Sequence, residues 1–190
     1  VRVQQVADGQ RALREDVAGG GDDLGHKLIA VIERVPQRPA LDAVLAGVVE
    51  DHRLPPIGQA VSAAQADELR RDKNVIVMGE DVGLYGGAYQ ATRGLLTEFG
   101  TDRVIDTAIS EAAIAGSAVG AALRGMRPVA EIMYVDFVTI AMDQLVHVGA
   151  YNRYMFGGKA KVPMVLRTEG GVGRCIAAHP SESLEASLMH

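Results

Sequence analysis

Three short apolar runs of this chain are each followed by an acidic residue, namely Glu80, Glu111 and Asp136. Carboxylates in such positions can transfer protons as general acids or bases, or hold a ligand by hydrogen bonds. A fourth apolar run leads into the loop 167–173. Because ligands of parallel α/β sheets bind at the carboxyl ends of the strands, we expect these residues to share one rim of a sheet.

Glu111 lies where a strand is expected to meet a helix. Val104 and Ile105 are β-branched strand formers, Ser110 is a good N-cap, and Gly125 can end the helix that follows. Glu111 then occupies the first turn, where a carboxylate meets the positive end of the helix dipole. Its position alone favours a capping role, because acidic residues are routine there; a catalytic role is the alternative.

The helix behind Glu111 is built almost wholly of small residues and lacks a polar face. A helix without a polar face is buried, so we expect it at the centre of the fold. Gly116 and Gly120 are four residues apart on one face, where another backbone can approach closely.

The composition predicts one domain and excludes several classes of function. The chain has 190 residues, of which 48% are hydrophobic, enough for one sizeable core. A net charge of −5 without a Lys/Arg-rich run argues against nucleic-acid binding, and no apolar run is long enough to span a membrane. The single Cys175 fits a reducing compartment. With no signal or transit pattern at the start, the cytoplasm is the expected location.

Residues 1–56 differ in character from the rest. They contain no aromatic residue and several glycines and prolines, so we expect an atypical, loosely ordered or non-native extension. The apolar bursts 28–32 and 41–49 are expected to form two short helices.

Residues 57–190 are expected to form the folded domain. Helices are predicted at 58–71, 92–99 and 137–154, in addition to the one that starts at Glu111, and strands at 75–78, 103–109, 128–134 and 162–167. This alternation predicts an α/β fold with a mostly parallel sheet and helices on both faces. No phosphate-binding glycine motif is present, so the chain is not expected to hold a phosphate by itself.

From residue 57 onward the sequence resembles the beta subunit of thiamine-diphosphate-dependent 2-oxo acid dehydrogenases, the group of the pyruvate, branched-chain and acetoin enzymes. The resemblance implies a thiamine-diphosphate-binding fold of the transketolase-like pyrimidine type, incomplete at its carboxyl end. The matching blocks are 77–83, 85–89, 93–95, 103–107, 109–111, 118–122, 127–129, 143–144, 154–159 and 162–163.

The resemblance implies that Glu111 hydrogen-bonds a ring nitrogen of the cofactor's aminopyrimidine. A carboxyl group there favours the imino tautomer, which can remove the thiazolium proton. Met133 and Phe137 resemble the family's apolar walls around the pyrimidine ring, although their periodicity alone equally fits core positions. Met164 matches a position whose backbone carbonyl helps to bind a structural potassium ion.

The chain departs from the family pattern at the catalytic histidine. Counting back from Leu184 places Pro180 at that position, and a proline side chain can neither donate nor accept a hydrogen bond. His179 lies one residue earlier and is the remaining candidate, with an ordinary loop histidine as the alternative. The chain also ends before the family's carboxyl-terminal domain, which indicates a truncated or partial subunit.

The resemblance implies one part of an enzyme that decarboxylates a 2-oxo acid oxidatively and transfers the acyl group to a lipoyl group. The implied partners are an alpha subunit that holds the diphosphate and its magnesium ion, a second beta subunit, and the lipoyl-bearing acyltransferase. The chain alone is expected to be inactive.

The alternatives are a module of another, transketolase-like thiamine enzyme and an inactive remnant that only binds an alpha subunit. The run 153–160 leans toward the acetoin and pyruvate members.

Overall fold

A computed structural model describes residues 27–32, 57–170, 182 and 184–188, with only the backbone of 27–32. Strands and helices alternate along most of this part of the chain. The strands are β1 (Lys27–Ile32), β2 (Val75–Gly79), β3 (Val104–Asp106), β4 (Arg127–Ile132) and β5 (Val165–Gly170). The α-helices are α1 (Ile57–Arg71), α2 (Leu95–Phe99), α3 (Glu111–Leu123), α4 (Val138–Asp143), α5 (Tyr151–Met155) and α6 (Glu185–Leu188). A 3-10 helix (Val135–Phe137) precedes α4, and a π-helix (Gln144–Ala150) separates α4 from α5.

The strands form one sheet in the order β1-β5-β4-β2-β3. Strands β5, β4, β2 and β3 run parallel, and β1 pairs antiparallel with β5 at the edge. The predicted α/β class and the four parallel strands are confirmed. Parallel strands run in the same direction, so their carboxyl ends lie together along one rim of the sheet. The segments that follow β2, β3 and β4 therefore share this rim.

Apolar side chains cover both faces of this sheet, which explains why its strands read as continuous hydrophobic runs. One face packs against α3 and α4, and the other packs against α1 and α2. The first core contains Ile76, Met78, Ala130, Ile132, Leu166, Ile114, Ala115, Ala118, Val138 and Ala141. The second contains Val75, Val77, Val104, Ala66, Leu69, Val82 and Leu95.

One predicted helix is wrong, and another is helical as predicted but not α-helical throughout. Residues 28–32 belong to β1 instead of a short helix, because the edge of β5 offers a row of backbone groups with which an apolar, β-branched segment can pair. The helix predicted at 137–154 is confirmed as one continuous helical segment, which consists of the 3-10 helix, α4, the π-helix and α5. The second predicted short helix, 41–49, lies outside the described residues. The division of the chain into 1–56 and 57–190 stays a prediction.

Several predicted boundaries also move. The helix predicted at 92–99 begins only at Leu95, since Gly94 has a φ of 85° that does not fit a helix. The strand predicted at 103–109 ends at Asp106. The strand predicted at 162–167 is β5, which starts only at Val165, because Pro163 has no N–H to donate to a strand ladder.

Helix α3 is buried on one side only. Ala115, Ala118 and Val119 are fully buried, but the face that carries Gly120 is exposed. A Cβ on Gly116 would meet the Gln144 side chain at 3.0 Å, whereas a Cβ on Gly120 would meet nothing within 4 Å. The expectation of a helix buried all round is therefore wrong for the chain by itself, because no described element covers the Gly120 face.

In the part of the chain that the structure describes, none of the helices has both the length and the apolar character that crossing a membrane requires.

Candidate functional site

Glu111 is the first residue of α3 and is only 9% exposed. Ser110 occupies the N-cap position with an extended backbone, but its hydroxyl makes no capping hydrogen bond. The N–H groups of the first turn of α3 therefore donate no hydrogen bond to the Ser110 side chain. No lysine, arginine or histidine among the described residues forms an ion pair with it. A buried carboxylate without a counterion is suited to meeting a ligand that brings its own donor.

A second carboxylate, Glu80, lies within electrostatic range of Glu111. Glu80 follows directly after β2, which is the neighbour of β3 in the sheet. Burial raises the pKa of Glu80, and the charges of Glu111 and Asp81 raise it further. The structure thus brings together two of the three acidic residues predicted for the rim. The interaction of Glu80 with Glu111 could not be read from the sequence, because it depends on the path of the loop after β2.

Hydrogen bonds fix the loop that carries Glu80. The hydroxyl of the fully buried Thr92 donates to the Val82 carbonyl at 2.7 Å. The N–H of Gly87 donates to the Asp81 carbonyl at 2.8 Å, and Asp81 itself has a φ of 52°. Such a conformation costs a non-glycine residue free energy, so the surrounding contacts must enforce it.

An aromatic row follows β4 at the same edge of the sheet. The rings of Tyr134 and Phe137 meet edge to face, with centroids 5.8 Å apart, and Tyr134 meets Tyr89 in the same way at 6.2 Å. Phe137 remains 37% exposed, and Met133 is half-buried. An apolar wall of this kind can pack against a flat ring.

Asp136, the third predicted rim carboxylate, turns out to be 7% exposed. Neither of its carboxylate oxygens has a hydrogen-bond partner among the described residues. Its backbone carbonyl accepts a hydrogen bond from the Thr139 hydroxyl at 2.7 Å, which fixes the turn into α4.

Glu131 and Arg167 form a buried ion pair between β4 and β5. They are direct neighbours in the register of the two strands and are 3% and 6% exposed. Burial lowers the pKa of Arg167 to about 10, and the charge of Glu169 opposes that effect. Arg167 was expected to open the rim loop 167–173, and this is wrong, because β5 continues to Gly170 and buries the side chain. No pattern in the sequence indicated this pair.

Met164 is the remaining predicted site residue that the structure describes, and it packs into the core. Met164 lies just before β5, and its side chain packs against the apolar core beneath α3. Within the described ranges, no group of three or more histidine, cysteine, aspartate or glutamate residues could hold a metal ion. His179 and Pro180 lie outside the described residues.

Comparison with known proteins identifies the domain type. A family model for the pyrimidine-binding domain of transketolase matches residues 55–190. This match includes Glu111, Glu80 and the aromatic row.

Three of the relatives most similar to this chain are beta subunits. The beta subunit of acetoin:2,6-dichlorophenolindophenol oxidoreductase from Bacillus subtilis is 44% identical over 140 residues, which cover 67% of this chain and 41% of that subunit. The pyruvate dehydrogenase E1 component subunit beta from Rickettsia felis is 45% identical over 134 residues, covering 70% of this chain and 41% of that subunit. The chloroplastic pyruvate dehydrogenase E1 component subunit beta-3 from Oryza sativa subsp. japonica is 40% identical over 157 residues, covering 83% of this chain and 40% of that subunit. The chain thus spans about two fifths of the length of these relatives.

Proposed function

Because the chain belongs to the transketolase pyrimidine-binding domain family, we propose that it is part of the beta subunit of a thiamine-diphosphate-dependent 2-oxo acid dehydrogenase. The reaction is the oxidative decarboxylation of a 2-oxo acid, with transfer of the acyl group to a lipoyl group. One observation carries the proposal: Glu111 is a buried carboxylate with no cationic partner among the described residues, at a helix N-terminus, in a domain of the pyrimidine-binding type.

Glu111 fits the aminopyrimidine ring of thiamine diphosphate. When bound, this cofactor supplies a nucleophilic carbon that attacks the carbonyl group of the 2-oxo acid. Glu111 would hold a proton between its carboxyl group and a ring nitrogen, and so control the basicity of the amino group on the same ring. The low exposure of Glu111 strengthens this hydrogen bond, because water competes weakly at a buried site.

Met133 and Phe137 would form the apolar walls around the ring. Phe137 has an exposed face and is buttressed by Tyr134, so its ring can keep one orientation when a ligand arrives. Tight apolar packing around a ring also excludes water from the proton that Glu111 shares.

Three further assignments belong to the same proposal. His179 is the candidate for the catalytic histidine, with Pro180 at the position where the family carries it. The backbone carbonyl of Met164 would contribute to a potassium site. The magnesium ion and the diphosphate would be held by an alpha subunit.

The proposed partners are that alpha subunit, a second beta subunit, and the lipoyl-bearing acyltransferase of the complex. Large apolar side chains at the surface support a covering partner: Leu84 is 92% exposed, Ile109 is 82% exposed and Tyr154 is 91% exposed. The open face of α3 at Gly120 supports the same conclusion. We accordingly expect the isolated chain to be inactive, and we place the assembled enzyme in the cytoplasm.

The test is Glu111→Gln in the full-length subunit assembled with its alpha subunit and thiamine diphosphate. Glutamine keeps the size of the side chain but cannot share a proton in the same way. We expect exchange of the thiazolium proton to slow by about 10²–10⁴-fold, the usual contribution of general acid–base catalysis. The melting temperature should hardly change.

The matched control is Glu98→Gln, the same substitution at an exposed site on α2. It should leave the exchange rate unchanged. Near-normal exchange in Glu111→Gln, together with a lowered melting temperature, would instead assign Glu111 a capping role and refute the proposed function.

A further inference from the structure

One carboxylate ties the loop that carries Glu80 to the end of β3. Asp106, the last residue of β3, accepts a hydrogen bond from the N–H of Gly83, with 2.6 Å between the nitrogen and Oδ1. Next to it, the N–H of Thr107 donates to the Gly79 carbonyl at 2.9 Å. The segment 79–83 is therefore fastened at both ends to residues that lead from β3 into α3.

The contact between Asp106 and Gly83 leaves no room for a side chain. A Cβ on Gly83 would lie 2.4 Å from Oδ2 of Asp106 and 2.9 Å from its Cγ. Gly83 is not among the residues with positive φ, so its backbone would suit other residues. A side chain at this position would therefore push the Asp106 carboxylate away from the Gly83 N–H.

Glu80 lies within the segment 79–83, close enough to the start of α3 for the charge of Glu111 to act on it. The charged groups that act on Glu80 are Glu111 from α3 and Asp81 from its own loop. Glu131 of β4 lies next to Gly79, because a Cβ on Gly79 would be 2.8 Å from the Cβ of Glu131. The Glu131 carboxylate forms an ion pair with Arg167. A shift of the segment would thus change the separation of Glu80 and Glu111, while Glu131 would keep its partner.

We propose that Asp106 is a positioning residue that holds Glu80 beside Glu111 by anchoring the N–H of Gly83. The inference rests on the proposed function, because the position of Glu80 matters only if Glu111 exchanges protons with the cofactor. Asp106 itself contacts neither glutamate in the described hydrogen bonds. Without the anchor, the segment would relax towards water, and the charge of Glu80 would act less on Glu111.

The experiment compares Asp106→Ala, Asp106→Asn and Glu80→Gln in the full-length subunit assembled with its alpha subunit and thiamine diphosphate. Amide hydrogen exchange of the peptide that contains Gly83 measures the anchor. The pH profile of thiazolium-proton exchange measures the effect on the site, and Glu80→Gln identifies the inflection due to Glu80 by removing it.

In Asp106→Ala we expect the Gly83 amide to exchange at least about tenfold faster, as the loss of a charge-assisted hydrogen bond implies. The inflection due to Glu80 should move to lower pH, because Glu80 becomes better solvated and more distant from Glu111. In Asp106→Asn, the exchange rate of the Gly83 amide and the pH of the Glu80 inflection should return towards their wild-type values. The amide oxygen of asparagine can still accept the hydrogen bond.

A second variant tests the anchor from the other side. Gly83→Ala should also speed exchange of the residue 83 amide and move the Glu80 inflection to lower pH. The reason is that its methyl group would collide with the Asp106 carboxylate. Added to Asp106→Ala, it should cause little further change, since the collision is gone.

Two results would overturn the inference: unchanged amide exchange in Asp106→Ala, or faster exchange with the wild-type pH profile. The second result would give Asp106 a role in the fold alone. Failure of the proposed function would give a different result. Glu111→Gln would then show normal thiazolium-proton exchange, whatever the outcome for the Asp106 variants.

Discussion

Glu111 and Glu131 are both buried glutamates, but their surroundings differ. Glu131 has an arginine directly opposite on the neighbouring strand, and the pair is almost inaccessible to water. Glu111 has no cationic partner among the described residues, is the first residue of α3, and has a second carboxylate within electrostatic range. The chain thus neutralises one buried carboxylate internally and keeps the other available. We interpret the first as structural and the second as functional.

The largest expected effect concerns the structural glutamate. Glu131→Ala leaves the Arg167 guanidinium buried without its counterion, so we expect the free energy of unfolding to fall by about 3–5 kcal/mol. Denaturant unfolding of the full-length subunit in its assembly measures this loss.

The control for that prediction replaces both charges. Glu131→Leu combined with Arg167→Met removes the unpaired charge as well, and should recover most of the stability, because apolar pairs often replace buried ion pairs without loss. If Glu131→Ala cost less than about 1 kcal/mol, the pair would behave like a surface salt bridge and the comparison would fail.

A smaller effect is expected at Glu80. Its raised pKa means that the folded chain binds the proton more tightly than the unfolded chain does. The free energy of unfolding therefore decreases as the pH rises from the ordinary glutamate value of 4.5 through the raised pKa. Glu80→Gln removes this decrease, so it should be more stable than the wild type at neutral pH.

Thermal unfolding as a function of pH measures the difference between Glu80→Gln and the wild type. The difference should shrink as the pH falls towards about 4, where both states of the wild type become protonated. A higher melting temperature for the wild type than for Glu80→Gln at neutral pH would mean that Glu80 is stabilised as an anion. That result would contradict the effect of the nearby Glu111 charge.

The smallest effect is expected at Glu98, a fourth glutamate, which forms a salt bridge with Arg70 on the surface. Arg70 donates to it twice, at 2.6 Å from Nε and 2.8 Å from the second nitrogen, and lowers its pKa. Its contribution to stability is present above the ordinary glutamate pKa and is lost as the pH falls through the lowered one.

Glu98→Gln should therefore be slightly less stable than the wild type at neutral pH, and the difference should vanish in acid. This direction is opposite to that of Glu80→Gln. Since both partners are exposed, water and salt weaken the pair, and added salt should reduce the difference further. A loss as large as that of Glu131→Ala would show that burial does not separate these pairs.

The sequence predicted the region around Glu111 because its signals are local. Val104 and Ile105 indicate a strand, the first-turn carboxylate marks the start of a helix, and Gly125 ends it with a φ of 94°. The four parallel strands followed from short apolar runs in the same way. The rim itself followed from a topological rule, which placed Glu80 and Glu111 at one edge.

What the sequence missed depends on contacts between distant residues. Glu131 and Arg167 lie on different strands, and only the register of β4 against β5 makes them neighbours. The same holds for β1, which becomes a strand because the edge of β5 is available for pairing. Asp106 had no signal either, since its partner Gly83 reaches it through a loop whose path is set by several hydrogen bonds.

The most direct test of the central claim applies one substitution to both buried glutamates. Under the proposed function, Glu111→Gln and Glu131→Gln are made in the full-length subunit assembled with the proposed alpha subunit and thiamine diphosphate, and thiazolium-proton exchange and the melting temperature are measured for each. We predict opposite outcomes: Glu111→Gln slows exchange by at least about 100-fold at a nearly unchanged melting temperature, whereas Glu131→Gln lowers the melting temperature and leaves exchange in the folded enzyme nearly unchanged. If both variants lost stability alike and exchanged protons alike, the distinction between a structural and a functional glutamate would be contradicted.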